Sequence, residues 1–278
     1  MGLDRLIYVN EIGQIIEFSL KSPFILQRVE GLDGLQNDIH TTKGVLQDGV
    51  LIIGSNLKER NITIGGTIVR DQDNNREKLI KIVNPKLKGK LIHERNNRIK
   101  QIVCEVEQAP TVTRKAIPEY FISILCPNPY WEDEYETGQE ISTWIGGLSF
   151  PFSLPFRLKQ RGETRQNIYN AGDVETPVEI IFRGPALNPK VTNLTTGEFI
   201  RIKQELASDD TLYITTDFGN KKVELETHGV RINAFNYIDL DSTFFSLIVG
   251  DNLIEYTTES ELISKGVEIR YYNRYLGV

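Results

Sequence analysis

The histidines are the first side chains in this chain that could do chemistry, because imidazole is a common zinc ligand. There are three of them, His40, His93 and His228. They lie in separate segments and lack the short spacings by which a zinc site is recognised. The sequence also contains no Gly-x-Ser-x-Gly nucleophile elbow and no Gly-x-x-x-x-Gly-Lys phosphate loop. We therefore expect neither a zinc site nor a nucleotide cofactor.

Carboxylates could instead bind calcium or hydrolyse a sugar. Asp209 with Asp210, and Asp239 with Asp241, place acidic groups close together, but such pairs more often form the polar side of a strand or turn. A glycosidase needs two carboxylates about 5–10 Å apart across a cleft. A chain with 38 acidic residues offers such pairs by chance. The sequence makes no positive case for a metal or a hydrolase, and we predict no catalytic residues and no cofactor.

The two cysteines, Cys104 and Cys126, form no Cys-x-x-Cys motif and are too few for a disulfide framework. We interpret them as small apolar residues in adjacent strands. The aromatic residues Trp131, Trp144 and Tyr135, with Tyr130, could form a platform on which a sugar stacks. The alternative, which we favour, is that they anchor the junction between two domains.

Charge and hydropathy exclude two classes of partner. The net charge is −6, and a general affinity for DNA needs a basic face whose contacts release counterions. No stretch approaches the ~20 apolar residues that span a bilayer, and the N-terminus lacks the pattern of a signal peptide. We expect a protein that is assembled in the cytoplasm, with no membrane partner.

The elements that must position these residues are mostly strands, because apolar and polar residues alternate between turn signals. In the first half one helix is predicted over Asp71–Val83, with Asp71 or Asp73 as its cap. Asn96-Asn97 predicts a tight hairpin turn. Strands of the first half are predicted at Leu6–Val9, Ile15–Phe18, Phe24–Val29, Val50–Ile53, Asn61–Val69, Leu91–Arg95, Arg98–Val106 and Tyr120–Cys126.

Three features of the first half lack a regular pattern. Gly31–Gly49 is glycine-rich and predicts a long loop, which in a compact domain is usually functional or mobile. Ala109–Pro118 contains two prolines and predicts either an extended arm or a β-hairpin loop. Arg60, just before a strand, is interpreted as a solvated charge at a sheet edge.

The second half predicts a β-sandwich of jelly-roll type, since about eight strand signals recur at roughly 8–15-residue spacing. The proline-interrupted run Ser149–Leu158 predicts a segment packed across the open end of the sandwich, with a polyproline-type ligand as the less favoured alternative. The boundary is placed near residue 135, giving domains 1–135 and 136–278.

Three motifs in a fixed order carry a resemblance to a known family. Cys126–Trp131 reads Cys-Pro-Asn-Pro-Tyr-Trp, Tyr169–Pro189 contains Tyr-Asn-Ala-Gly-Asp and Asn-Pro, and Gly250–Asn252 reads Gly-Asp-Asn. Together they resemble the siphophage distal tail protein family over most of the chain. No family motif matches Ser149–Phe156.

The resemblance implies a mainly β fold: an N-terminal barrel-like domain with one short helix and a projecting arm, and a C-terminal galectin-like sandwich. It implies a structural, non-enzymatic hub at the virion tail tip, a homohexameric ring between the tail tube protein and the tail-tip or tail-associated lysin protein. A receptor-binding protein is a further candidate partner, and DNA would pass through the ring without specific binding. The alternatives are a carbohydrate-binding host-adhesion module and a hydrolase.

Overall fold

The computed structural model describes residues 5–141, 144–145, 160–161, 164–259 and 266–278. It confirms the predicted fold class: strands make up 54% of the structure and helices 6%. The chain divides into two compact units, Met1–Glu134 together with Tyr275–Val278, and Tyr135–Arg274. Nothing in the sequence indicated that the last four residues return to the first unit. The predicted roles of Ser149–Leu158 and the Trp144 side chain lie outside the described residues.

The described residues of the first unit form one helix and eleven strands, and a short strand from the chain's end joins one edge of their sheet. In chain order they are β1 (Arg5–Asn10), β2 (Ile15–Phe18), β3 (Phe24–Glu30), β4 (Asn37–Thr42), β5 (Leu51–Leu57), β6 (Arg60–Ile68), α1 (Gln72–Ile82), β7 (Lys88–Arg95), β8 (Arg98–Val106), β9 (Thr111–Val112), β10 (Glu119–Cys126) and β11 (Trp131–Asp133).

Seven of these strands close into a barrel in the order β8-β7-β1-β2-β3-β6-β10, because β10 pairs with β8 as well as with β6. Successive side chains of a strand point to opposite sides, so alternate residues fill the interior. In β6, for example, Ile62, Ile64 and Ile68 are buried while Asn61 is exposed. The helix α1 packs its buried Leu79 and the rest of that face against this barrel core.

The predicted Asn96-Asn97 turn of the first unit is confirmed, one irregular segment differs from expectation, and another follows one of its two predicted alternatives. Asn96 and Asn97 both have left-handed backbone angles, φ 50° and 63°, as the tight β7–β8 hairpin requires. The predicted loop Gly31–Gly49 is wrong in part, because Asn37–Thr42 is a strand paired with β5. Ala109–Pro118 contains β9, which pairs with β10, so the hairpin-loop alternative is the one observed.

The second unit contains the remaining strands and one short 3-10 helix, Phe235–Tyr237. Its strands are β12 (Thr137–Ile141), β13 (Trp144–Ile145), β14 (Gln160–Arg161), β15 (Arg165–Asn170), β16 (Thr176–Pro177), β17 (Glu179–Arg183), β18 (Ala186–Leu187), β19 (Lys190–Asn193), β20 (Phe199–Arg201), β21 (Glu205–Leu206), β22 (Thr211–Thr215), β23 (Lys222–Thr227), β24 (Val230–Asn233), β25 (Ser246–Leu247), β26 (Gly250–Thr257) and β27 (Val267–Tyr271). The last strand of the chain, β28 (Arg274–Tyr275), joins the edge of the first unit's sheet.

Two antiparallel sheets form a sandwich in this unit, in the orders β12-β27-β17-β22-β23-β24 and β15-β26-β19-β20. Their inner faces share one apolar core, to which Phe182 of the first sheet and Tyr256 of the second contribute rings tilted by 35° with centres 6.0 Å apart. The predicted Thr196-Gly197 turn is confirmed, since Gly197 has φ 79° between the paired strands β19 and β20.

Asparagine side chains tie the loops of this sandwich. The Asn252 amide donates to the carbonyls of Ile248 at 2.8 Å and Gly250 at 3.0 Å, and is fully buried. Asn170 is likewise buried and bonds the carbonyls of Val174 and Leu247. The polar motifs that carried the family resemblance are therefore structural, because they satisfy buried backbone groups.

Candidate functional site

The most exposed apolar element of the first unit is the two-stranded hairpin of residues 37–57, here called the arm hairpin. It consists of β4 and β5, which pair only with each other in the described structure. Ile39, Leu51, Ile52 and Ile53 are 52%, 59%, 63% and 68% exposed. At its tip, Val45 is 96% exposed.

Such a hairpin is unusual as a free surface. An isolated two-stranded hairpin is marginally stable in water, and contiguous exposed apolar surface usually marks an interaction site. The arm hairpin has local support: His40 bonds the Asn56 side chain at 2.5 Å, and Lys58 N–H bonds the Gln36 carbonyl at 2.9 Å. This support holds its base, whereas the apolar side chains toward its tip are left to a partner.

A second apolar surface lies on the outside of the barrel. It is centred on four residues that lie side by side on the neighbouring strands β2, β1, β7 and β8. They are Ile15, Val9, Lys90 and Val103, here called the wall row. Ile15 and Val103 are 55% and 57% exposed, and Ile12 in the adjoining turn is 63% exposed. All of these strands are part of the closed barrel, so this surface is rigidly held.

A charged group borders the wall row. The Arg5 guanidinium on β1 reaches Glu17 on β2 at 2.9 Å and Glu94 on β7 at 2.7 Å. The hydrogen bond from Arg5 lowers the pKa of Glu17, and both carboxylates raise the pKa of Arg5. An apolar stripe with a charged border is the usual anatomy of a protein interface.

Arg60 is placed differently from the sequence prediction, which was wrong. It is only 3% exposed, in β6, and its guanidinium donates to four carbonyls, none of them on β6. These carbonyls belong to Pro129, Gly31, Leu32 and Leu276, at 2.7–2.8 Å. A guanidinium with five donors in a fixed fork can hold several chain segments at once. Arg60 therefore ties the start of the 31–36 loop and the chain's last residues to the barrel.

The last residues make further contacts within the same unit. The Lys100 ammonium lies 3.7 Å from the centre of the Tyr275 ring and donates to the Gly277 carbonyl at 2.9 Å. The Val278 N–H donates to Asp33 at 3.0 Å. These contacts surround a pocket of about 430 Å³ that is lined by His93, Arg95, Asn96, Arg98, Lys100 and Val278.

The structure does not bring the three histidines together. His40 lies in the exposed arm hairpin, His93 is buried beside the Trp131 ring at 6.2 Å, and His228 is in an exposed turn with Asp209 at 2.8 Å. Within the described residues no group of three or more His, Cys, Asp or Glu side chains is arranged to hold a metal ion.

The acidic pairs considered for calcium have protein partners. Asp239 is buried, and Lys203 lies 2.8 Å from it, while Arg201 holds its other oxygen. The hydrogen bond from Lys203, followed by that from Arg201, lowers the pKa of Asp239 to about 2. Asp210 accepts from the Ala207 N–H at 2.8 Å and from Thr227. Asp239 is therefore a structural counter-ion, and Asp210 is held by hydrogen bonds from uncharged groups.

Trp131 cannot belong to the saccharide platform that the sequence allowed, and the Trp144 side chain lies outside the described residues. Trp131 is fully buried in the first unit and donates its Nε1–H to the Leu32 carbonyl at 3.0 Å. On the outer face of the six-stranded sheet, Tyr213 is covered by the Arg231 guanidinium, 3.8 Å from the ring centre. Its neighbours are charged, including the Arg183–Glu268 ion pair at 2.6 Å. No open aromatic row is observed on this face within the part described.

Strand β4 of the arm hairpin escaped the sequence reasoning. Strand β4 reads Asn-Asp-Ile-His-Thr-Thr, which has one strongly apolar residue and therefore no visible alternation. The signal that could have found it is the apolar run Val50–Ile53, which needs a pairing partner. The described residues thus form a closed barrel with an exposed apolar hairpin, a feature typical of proteins that bind partners, and a sandwich on which several charged side chains are paired. No described helix is both long and apolar enough to cross a membrane.

Two family models match the chain, one to each half. "Phage tail protein RIFT-related domain" matches residues 13–126, and "Siphovirus-type tail component, C-terminal domain" matches residues 171–275. Together with the fold, these matches show that the chain belongs to the siphophage distal tail protein family and is a tail or baseplate hub component. The resemblance inferred from the sequence motifs is confirmed. No curated protein matches the sequence significantly.

Solved structures share the fold at low identity. The Dit protein of phage SPP1, described as a hub of the adsorption apparatus in phages that infect Gram-positive bacteria, has a TM-score of 0.68 and 11% identity, covering 98% of this chain and 99% of that one. A chain of the phage P2 baseplate in its activated conformation with calcium has a TM-score of 0.55 and 14% identity, with full coverage of both. The same baseplate with strontium gives 0.55 and 12%.

Proposed function

We propose that the protein forms a homohexameric ring at the virion tail tip, built in the bacterial host cytoplasm from the first unit of each copy. The arm hairpin is the observation that carries this proposal. It is an exposed apolar element with which no other described strand of the chain pairs, and this favours a partner from another molecule. The wall row on the same unit offers a second, complementary surface.

A ring follows when two different surfaces of identical copies meet. The arm hairpin of one copy against the wall row of the next is a heterologous contact, which closes by rotation or continues as a filament. Permanent contacts of this kind bury roughly 2,000 Å² or more with an apolar centre. The side chains of Ile52, Ile53 and Val103 supply that centre, and the Arg5 ion pairs supply its border.

The hexamer would join the tail tube protein to the tail-tip or tail-associated lysin protein, as a non-enzymatic hub. Family membership and the resemblance of the fold to a phage hub protein and to a chain of a phage baseplate support this assignment. The second unit, with its densely charged sheet face, offers the surface for tail-tip proteins or a receptor-binding protein. The mutual pairing of acidic and basic groups supports a structural role over a catalytic one.

The test replaces Ile52 and Ile53 together by Asp. A carboxylate in a desolvated contact lacks a partner, so the ring should fall apart to monomers in native mass spectrometry and negative-stain microscopy. The matched control replaces Val230 and Ile232 by Asp on β24, because these side chains are 63% and 53% exposed but belong to the second unit. The control should keep the ring.

Two results would reject the proposal. One is a ring that survives the Ile52/Ile53 change while both variants remain folded by circular dichroism. The other is a wild-type chain that stays monomeric at all concentrations and also when mixed with tail tube protein. If the Ile52/Ile53 variant and the Val230/Ile232 control lose the ring equally, the arm hairpin is not the specific contact.

A second contact is proposed at the tip of the Ala109–Pro118 hairpin loop. Ile117 is 59% exposed there, beside the Lys115–Glu119 ion pair at 3.0 Å. Deletion of residues 113–117 should weaken the ring if this loop reaches the adjacent copy. An intact ring after the deletion would limit the interface to the arm hairpin.

A further inference from the structure

Cys104 and Cys126 occupy opposed positions at the seam that closes the barrel. The β8–β10 ladder pairs Val106 with Ile124 and Glu105 with Leu125, so its register continues to Cys104 and Cys126. Both residues are fully buried, on the inner side of the barrel. The sequence interpretation of two buried cysteines on adjacent strands is confirmed, but it did not place them face to face.

The distance between opposed positions suits a covalent bond. Directly opposed residues of antiparallel strands have Cα atoms about 4.5–5.5 Å apart, which lies within the about 4.4–6.8 Å that disulfides require. Their side chains point to the same side of the sheet and belong to the same buried core of the barrel. We propose that Cys104 and Cys126 are an oxidisable pair whose disulfide covalently closes the barrel once the protein leaves a reducing compartment.

A disulfide at the β8–β10 seam would reinforce the weakest strand pairing among those that β8 and β10 make within the barrel. The β8–β10 ladder contains two residue pairs, whereas the β10–β6 and β8–β7 ladders each contain eight. A short ladder opens more readily than its neighbours, and opening is needed because the closed barrel shields both thiols. The hydrogen bond with Cys126 and burial raise the pKa of the Cys104 thiol, so it stays protonated until the seam opens.

Oxidised glutathione, or another low-molecular-weight disulfide, is the oxidant. One cysteine thiolate attacks it, forms a mixed disulfide and releases one glutathione thiolate. The second cysteine attacks the protein sulfur of that mixed disulfide and releases the second glutathione thiolate. Two S–H bonds are lost, one S–S bond forms, and the two electrons and two protons are carried by two molecules of reduced glutathione.

The test uses the full-length protein, reduced and then freed of reductant. It is incubated at pH 8 with oxidised glutathione, without urea and in urea below the unfolding transition. Free thiols are titrated in denaturant, and peptides are mapped by mass spectrometry without reduction. We expect both thiols to disappear without a glutathione adduct, faster in the low urea, and a peptide pair lighter by two hydrogen atoms.

The effect on the barrel is measured by unfolding the oxidised and reduced wild-type protein. The disulfide should lower the unfolding equilibrium constant by about a hundredfold, since it closes a loop in the unfolded chain. Cys104→Ser and Cys126→Ser each retain one cysteine, and should give a glutathione adduct with no such gain. If either variant fails to fold, the comparison of oxidised with reduced wild-type protein still tests the gain in stability.

Three results would overturn the proposal. They are thiols that remain free in the low urea, a disulfide that forms only after complete unfolding or only between molecules, and an oxidised barrel that is less stable than the reduced one. None of these depends on ring formation, so the redox inference and the proposed function fail separately.

Discussion

Replacement of Arg60 by Met should strongly destabilise the first unit. The substitution keeps much of the side chain's length and apolar stem but removes the charge and all five donors. Four carbonyls, those of Pro129, Gly31, Leu32 and Leu276, then lose their partner. Water cannot fully replace it, because Arg60 is 3% exposed.

The magnitude follows from the number of bonds and from burial. A hydrogen bond to a charged group contributes about 1.5–3 kcal/mol, and such bonds within one cluster are not additive. A buried acceptor left without a partner costs about 1–3 kcal/mol, and part of that cost is offset because burial disfavours the charged form of Arg60, so we expect a loss of about 3–5 kcal/mol for Arg60→Met. Arg60→Lys should lower the free energy of unfolding by a smaller amount than Arg60→Met. The reason is that an ammonium keeps the charge but cannot span four carbonyls in a fixed fork.

The assay is urea unfolding followed by the fluorescence of Trp131. This side chain is fully buried and bonded to the Leu32 carbonyl, one of the four that Arg60 binds. The sequence has two tryptophans, so a Trp144→Phe background makes Trp131 the only reporter. With a urea slope of about 2 kcal/mol/M, the midpoint should fall by about 2 M.

The matched control is Arg28→Met on the outside of the same barrel. The Arg28 side chain is 74% exposed and its ion pair with Glu30 is on the surface, so the free energy of unfolding should change by less than about 0.5 kcal/mol. An Arg60→Met midpoint as close to wild type as that of Arg28→Met would refute the reasoning. It would mean that the four carbonyls find other partners at little cost.

The other predictions concern barrel packing and acid stability. Gly66→Ala should prevent folding of the barrel, because an added Cβ would lie 1.9 Å from the Ile25 carbonyl oxygen. The control is Gly65→Ala, since the nearest atom to a Cβ at Gly65 is 3.8 Å away. The soluble yield and the circular dichroism spectra of the two variants check this. Asp239 stabilises the sandwich above its unfolded pKa of about 3.9. Because its folded pKa is lowered to about 2, that contribution is lost as the pH falls from near 4 through 2. Asp239→Asn should therefore be less stable than wild type at pH 7, and the difference should shrink toward pH 2 in acid-unfolding curves; a constant difference would contradict it.

The sequence by itself determined the local structure and the fold class. The Asn96-Asn97 turn, the Thr196-Gly197 turn and the helix following Asp71 each depend on a few neighbouring residues whose backbone preferences are intrinsic. Alternation likewise indicated which side of the 178–182 segment faces the core: Val178 and, on β17, Ile180 and Phe182 all lie in the sandwich core. The ordered motifs then identified the family, because turn residues in a fixed order reflect the same loops.

Only the tertiary structure decided which strands are neighbours, and the functional features follow from that. Alternation says which residues share a face but not which strand lies beside it, since pairing partners are chosen by packing and loop closure over the whole domain. Cys104 meets Cys126 because β8 closes on β10, and Arg60 is buried because a loop and the chain's end cover it. The arm hairpin is exposed because no other described strand of its own chain pairs with it, a property that no local pattern contains.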